Sequence, residues 1–348
     1  MVAEPTATPD PSREKLVQLA FERFGAPAVF LAKAAVLTAF ANGRATGLVV
    51  DVGGQSTTVS AVHDGYVLRR SLARSPLGGD ALTEAMLRAV EAKAGTGPSG
   101  GLVRPRYSFT RREVRPGEFA VADLSFPATT ESYLRFKRLE VAADMKESAC
   151  RAYDDAYTAA GDTLAVPTVS YELPDGSTIE VGPDRFLVPE LLFNPELLAT
   201  LAPGFSPWDG SGMAATAAVA AAAPAQGQAQ AQAQGQGQGP LKGLPRLVRD
   251  CLERCDPDVQ RDLYGNLLLT GGGSLFAGLP QRLEKEVAAL SSSAVRVRVS
   301  VPATAAERRF GVWIGGSILA SLGSFQQMWM SKQEYEEHGA GLILKKAP

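Results

Sequence analysis

Two apolar runs that each break off in a glycine turn constrain this chain more than any other feature: Leu48-Val-Val-Asp51-Val-Gly53-Gly54 and Leu267-Leu-Leu-Thr270-Gly271-Gly272-Gly273-Ser274. A strand that stops in glycines lets backbone N–H groups approach a phosphate or ribose with no Cβ in the way. Asp51 adds an oxygen able to orient a magnesium-bound water. Together the two turns predict a nucleotide cleft between two similar halves. Neither matches a common phosphate motif: no Gly-Lys-Ser/Thr follows, and no G-x-G-x-x-G opens a helix. Either turn alone also fits an ordinary strand ending, so the reading rests on finding both.

A length of 348 residues, 45% of them hydrophobic, can supply cores for two domains. The net charge of −2, from 35 basic and 37 acidic residues, gives no electrostatic ground for non-specific binding to DNA or an acidic membrane. No direct sequence-specific nucleic-acid binding is expected, and partners would be proteins. Cys150, Cys251 and Cys255 make an odd, sparse set that suits a reducing compartment. With His63 and His338 far away in sequence, no metal site is expected, and the thiols read as buried or solvated. No run approaches the roughly 20 apolar residues of a membrane span, and the first residues lack a secretory pattern, so cytosol or nucleus is expected.

Local patterns order the rest of the chain. Ser12 is placed to cap a helix over 13–24, and a second helix is expected from about 32 to the left-handed stop signal Asn42-Gly43, feeding a strand over 47–52. Residues 57–62 and 66–71 read as a hairpin about His63-Asp64-Gly65, and 169–172 with 178–181 as another about Pro174-Asp175-Gly176. Helices are expected over 81–93, 131–153, 244–255 and 281–290, and strands over 266–269 and 295–301. Residues 313–322 place Ile314, Ile318, Leu319 and Leu322 on one helical face, and Ser331-Lys-Gln-Glu334 is a capping box. Between 203 and 240 the Ala/Gln/Gly-rich composition has too little bulky apolar content to pack, which predicts a disordered insertion.

The run from Glu307-Arg-Arg309 through Trp313-Ile-Gly-Gly-Ser-Ile-Leu-Ala-Ser-Leu322 to Glu337 resembles the end of actin almost residue for residue. Arg13-Glu-Lys-Leu, Ala35-Val-Leu, Gly47-Leu-Val-Val-Asp51, Lys146-Glu147 and Asp262-Leu-Tyr follow in actin's order. The resemblance to the actin superfamily thus covers nearly everything outside the Ala/Gln insertion. Within it, the loops at 33–44, 63–68 and 75–80 are similar to those of the nuclear, chromatin-associated branch.

The resemblance implies an α/β actin-like ATPase (ribonuclease H-like) fold, incomplete at the N-terminus, with two lobes around a nucleotide cleft. Residues 1–45 and 300–348 would be the remainder of the first lobe, and 46–202 with 241–299 the second. By position, Asp51, Gly53 and Gly54 resemble the second phosphate loop, and Lys146 and Glu147 the pair that holds adenine and ribose. Gly271, Gly272, Ser274, Leu275 and Phe276 resemble the adenosine loop, and Arg309 stands where actin has a base-contacting lysine. From the residues alone, Lys146-Glu147 reads instead as a solvated helix face.

Several departures argue against hydrolysis. The family's first strand and first phosphate loop would lie upstream of this sequence, so ATP is expected to bind weakly or not at all. Ala34 and Thr58 stand where actin positions its attacking water with a glutamine and a histidine, and Gly54 replaces an aspartate. Phe40, Gly43, Ile318, Leu319, Leu322 and Met328 match positions lining actin's groove for partner helices, although spacing alone also fits a core. The resemblance therefore implies a non-catalytic subunit of nuclear chromatin-remodelling or histone acetyltransferase complexes, docking beside actin on a helix of the motor or scaffold subunit. The nucleus is the expected location, with the cytoplasm second. A filament-forming ATP-binding actin, a sugar-kinase-like enzyme and a non-functional fragment stay open as alternatives.

Overall fold

The computed structural model describes residues 1–94, 103–115, 118–126, 128–157, 166–203, 205 and 241–348. Apart from Pro203 and Phe205, the Ala/Gln/Gly-rich stretch lies outside the described residues. The chain divides into two units, one of Met1–Ser75, Leu244–Leu275 and Pro280–Pro348, the other of Pro76–Gly243 and Phe276–Leu279.

The first unit is built on a six-stranded sheet with Gly47–Val52 at its centre. That strand runs parallel to Leu267–Thr270 and antiparallel to Thr57–His63. Leu48, Val49, Val50 and Val52 are all buried, as a strand covered on both faces requires. Asp64 and Gly65 take positive φ, the tight turn that the Asp-Gly pair predicts. Beyond Tyr66–Val67 the expected second hairpin strand gives way to a short 3-10 turn, and Ala73–Ser75 returns to pair with Thr57–His63.

The same unit holds a second core of Val17, Phe21, Phe30, Leu37, Leu319, Phe325, Met330 and Ile343. Val2–Glu4 pairs in parallel with Leu31–Lys33, and this pairing delays the second helix to Ala34–Ala41 rather than 32. The first helix, Asp10–Gln18, begins after Pro9 with no side-chain cap, so Ser12 does not cap it, and its end winds into a π-helical turn over Leu19–Arg23. The expected division at 45/46 is not where the contacts divide. Ala35 and Ala39 share one apolar cluster with Val49, Val62 and Leu268, so the central strands pack with the termini.

The helix Ala305–Ser321 corrects a second expectation. Its capping box, Thr304 with Glu307, starts it well before 313, and its buried face is Gly311, Gly315, Gly316 and Leu319. A Cβ on Gly315 would collide with the Leu37 carbonyl, so the glycines serve a backbone-to-backbone approach to Ala34–Ala41. Ile318 and Leu322 consequently stay exposed, while Ile314 is half-buried. The expected strand over 295–301 shrinks to Val299–Ser300, the only part in register with Leu267–Leu268.

In the second unit Gly79–Ala94 packs against Glu131–Ala149. The latter stops before 153 because Cys150 turns extended and Arg151 bridges to Ala277. The hairpin Val169–Glu172/Thr178–Val181 forms in the register its Pro-Asp-Gly turn predicts. A further hairpin pairs Phe109–Arg115 with Glu118–Asp123.

Candidate functional site

The two glycine turns lie side by side at the ends of adjacent parallel strands, with Thr270 opposite Asp51 in register. Thr58 is the antiparallel partner of Asp51, so Thr270, Asp51 and Thr58 share one face of the sheet. Burial raises the Asp51 carboxyl above the usual range, because desolvation penalises its charged form.

Not all the glycines are there for a ligand. Gly271 has φ +90°, and a Cβ there would lie 2.5 Å from Asp51 Oδ1; one on Gly273 would lie 2.5 Å from Val52 Cγ1. A Cβ on Gly53 would come to 3.0 Å from the Ser56 carbonyl oxygen. These three are small because neighbouring parts of the same unit fill the space. Gly272, by contrast, has nothing within 4 Å of a would-be Cβ, and Gly54 is exposed. Those two backbones are the ones free to approach a phosphate or sugar. The turn itself is rigid: the Ser274 hydroxyl donates to the Gly271 carbonyl at 2.7 Å.

Arg308 holds this turn, and sequence reasoning passed over it in favour of Arg309. Its carbonyl accepts from Gly271 N–H at 3.1 Å and from the Thr270 hydroxyl at 3.0 Å, while Nη1 donates to the Ser274 carbonyl at 3.1 Å. Arg309 is exposed on the next position. Only the neighbouring Thr304-x-x-Glu307 box signalled that a helix start would bring Arg308 here.

Lys146, Glu147 and Phe276 belong to the other unit, and Leu275 ends the first. Lys146 is buried, its Nζ donating to the Gly79 carbonyl at 3.0 Å and the Thr83 hydroxyl at 2.8 Å, whereas Glu147 is exposed. The expected buried Lys-Glu pair is thus split across two sides of the helix, and the solvated-face reading holds for Glu147 alone. Phe276 is 8% exposed and Leu275 half-buried.

The six groove positions all fall in the first unit. Leu319 is 6% exposed and belongs to the terminal core, with Phe40 packed against that core. Ile318, Leu322 and Met328 are 43%, 49% and 39% exposed, so the contiguous elements bury one set of apolar side chains and present another. Gly43, at φ +66°, ends the helix beside Phe40, and its N–H donates to the Phe40 carbonyl. Among the described residues no group of His, Cys, Asp and Glu is placed to hold a metal, and no helix is long and apolar enough to cross a membrane.

The actin family profile matches residues 1–348. The chain is 50% identical over 351 residues to an actin-related protein 4 of Oryza sativa subsp. japonica, covering all of this chain and 71% of that one. It is 47% identical over 348 residues to an actin-related protein 4 of Arabidopsis thaliana, again covering all of this chain and 71% of the relative. A more distant actin-related protein 4, from Neurospora crassa, is 35% identical over 344 residues, covering 96% of this chain and 66% of its own length.

Proposed function

The chain belongs to the actin family, and from that premise we propose that it is a non-catalytic, helix-docking subunit of nuclear chromatin-remodelling or histone acetyltransferase complexes, working beside actin. The observation that carries this reading is the division of labour along Ala305–Ser321: glycines turn inward, leaving Ile318 and Leu322, with nearby Met328, as exposed apolar anchors. An amphipathic helix recognises such anchors at helical spacing. Asp51, Gly54 and Gly272, all in the first unit, are the residues through which a nucleotide phosphate or sugar would be held. ATP, if bound, stabilises the fold by mass action. Hydrolysis is not part of the proposal, because Ala34 has no polar group to position water and Thr58 lacks the reach of a histidine.

The test is fluorescence anisotropy with a labelled amphipathic helix from a remodelling motor subunit, alongside an ATP turnover assay. Ile318→Asp and Leu322→Asp are expected to weaken binding by about tenfold or more, the scale of a central anchor. Unchanged affinity in both variants, or ATP turnover that Asp51→Ala abolishes, overturns the reading.

A further inference from the structure

A cationic cavity lies at the opposite end of the strand Leu267–Thr270 from its glycine turn. It has a volume of about 370 Å³ and is lined chiefly by Arg261, Asp262, Asn266, Arg296 and Arg298, all of the first unit. The helix Pro257–Gly265 buries Leu263 and leaves Arg261 and Asp262 exposed. The alternation Val295-Arg-Val-Arg-Val299 half-buries its valines and exposes both arginines, the period by which an extended chain sorts its side chains to two sides.

Asn266 fixes the floor of the cavity. Its Nδ2 donates to the Asp262 carbonyl at 3.0 Å, its Oδ1 accepts from Arg44 Nη1 at 3.1 Å, and its carbonyl accepts from the Leu48 N–H at 2.9 Å. The Arg298 N–H donates to the Tyr264 carbonyl at 3.1 Å, joining the arginine segment to the helix. The surrounding backbone is thus held, whereas the charged side chains are uncommitted. Among the described residues, Arg261, Arg296 and Arg298 make no side-chain hydrogen bond or ion pair, and Asp262 makes no ion pair.

Three guanidiniums against one carboxylate leave positive charge in excess, presented as forks of donors that suit an oxyanion. A phosphomonoester carries about −1.5 to −2 charge at pH 7 and three acceptor oxygens, so one such group balances the excess. The volume falls at the lower end of the roughly 300–1,000 Å³ of small-molecule pockets, which leaves room for an organic body beside the phosphate. Ionised Asp262 only accepts hydrogen bonds, so it suits a hydroxyl on that body and repels a second phosphate.

We propose that this cavity binds a small hydroxylated phosphomonoester of the sugar-phosphate class, with Arg261, Arg296 and Arg298 on the phosphate oxygens and Asp262 on a hydroxyl. It is separate from the nucleotide turns: the parallel strands Gly47–Val52 and Leu267–Thr270 begin beside Asn266 and run away from it toward Gly53 and Gly271.

Isothermal titration calorimetry of the folded chain with glucose 6-phosphate, inorganic phosphate and glucose tests the site. Glucose 6-phosphate is expected to bind more tightly than inorganic phosphate, and glucose not to bind. Arg296→Gln and Arg298→Gln, both at exposed positions, should each weaken glucose 6-phosphate by about tenfold or more, the scale of a lost charged hydrogen bond. Arg70→Gln, at an exposed arginine elsewhere in the same unit, should leave its affinity nearly unchanged. Asp262→Ala should tighten inorganic phosphate and narrow the preference for the sugar phosphate. No saturable binding of glucose 6-phosphate, equal affinity for the two phosphates, an equal loss in Arg70→Gln, or an unchanged preference in Asp262→Ala overturns the proposal.

Discussion

Gly315 rests directly on the backbone of Leu37, with no room for a side chain between the helices Ala305–Ser321 and Ala34–Ala41. Overpacking at such a contact costs about 1–3 kcal/mol, and more where backbone must move. Gly315→Ala is therefore expected to lower the urea midpoint, whereas Gly323→Ala, with nothing within 4 Å of its would-be Cβ, should change it little. Equal midpoints for the two variants would remove the close approach as the reason for the glycine.

Glu4 binds two buried cations at once: its Oε1 lies 2.8 Å from Arg13 Nε and 2.9 Å from Lys33 Nζ, with all three residues no more than 4% exposed. Arg13 also donates to the Ala347 carbonyl, tying the chain's end to this cluster. Glu4→Gln removes the one carboxylate that Lys33 and Arg13 share, leaving Arg13 only Asp10 at 4.0 Å, and should cost about 3–5 kcal/mol in equilibrium unfolding. Burial already holds Lys33 below its ordinary value, so adding Lys33→Met should recover part of the loss. A double variant less stable than Glu4→Gln would contradict this account.

Burial raises Asp51, and the sign of its effect on stability follows. Between the unfolded value and the higher folded one, the folded state binds more protons, so stability falls as pH rises through that interval and the deficit persists above it. Asp51→Asn should accordingly melt higher than the wild type at neutral pH, and the difference should close at acid pH, where both states are protonated. Calorimetry across the range checks this; a variant that melts lower at neutral pH sinks it.

Glu334 shows the opposite sign. The Lys346 ammonium, helped by the Ser331 N–H and hydroxyl, holds its carboxyl down to about 2. Its contribution is present above the ordinary glutamate range and lost as pH falls toward that value. An NMR titration of the Glu334 carboxyl should show the low midpoint in the wild type and a return toward the ordinary range in Lys346→Met.

What the sequence reveals is what local chemistry decides. The strand Gly47–Val52, the turn at Pro174-Asp175-Gly176 and the Ser331/Glu334 box all form where their residues place them, because each depends on neighbours a few positions away. The inward face of Ala305–Ser321 was legible only in part: apolar spacing pointed to Ile314, Ile318, Leu319 and Leu322, and of these Leu319 is buried, but Gly311, Gly315 and Gly316 make the rest of the face because glycine allows a closer approach. Lys146 is fixed by Gly79 and Thr83, 67 and 63 residues away, and no helical periodicity carries that information. Arg308 escaped for the same reason, since its contacts reach back to Thr270, Gly271 and Ser274.

Trp313, 80% exposed on the helix whose other side is glycine, stands in water, while Trp329 is half-buried edge-on to Phe325. These two of the chain's three indoles sit in different polarities, and Trp313 is open to a quencher such as acrylamide. This molecule thus has an intrinsic optical reporter: whatever settles over that stretch of helix will announce itself as a blue shift in emission, with no dye attached.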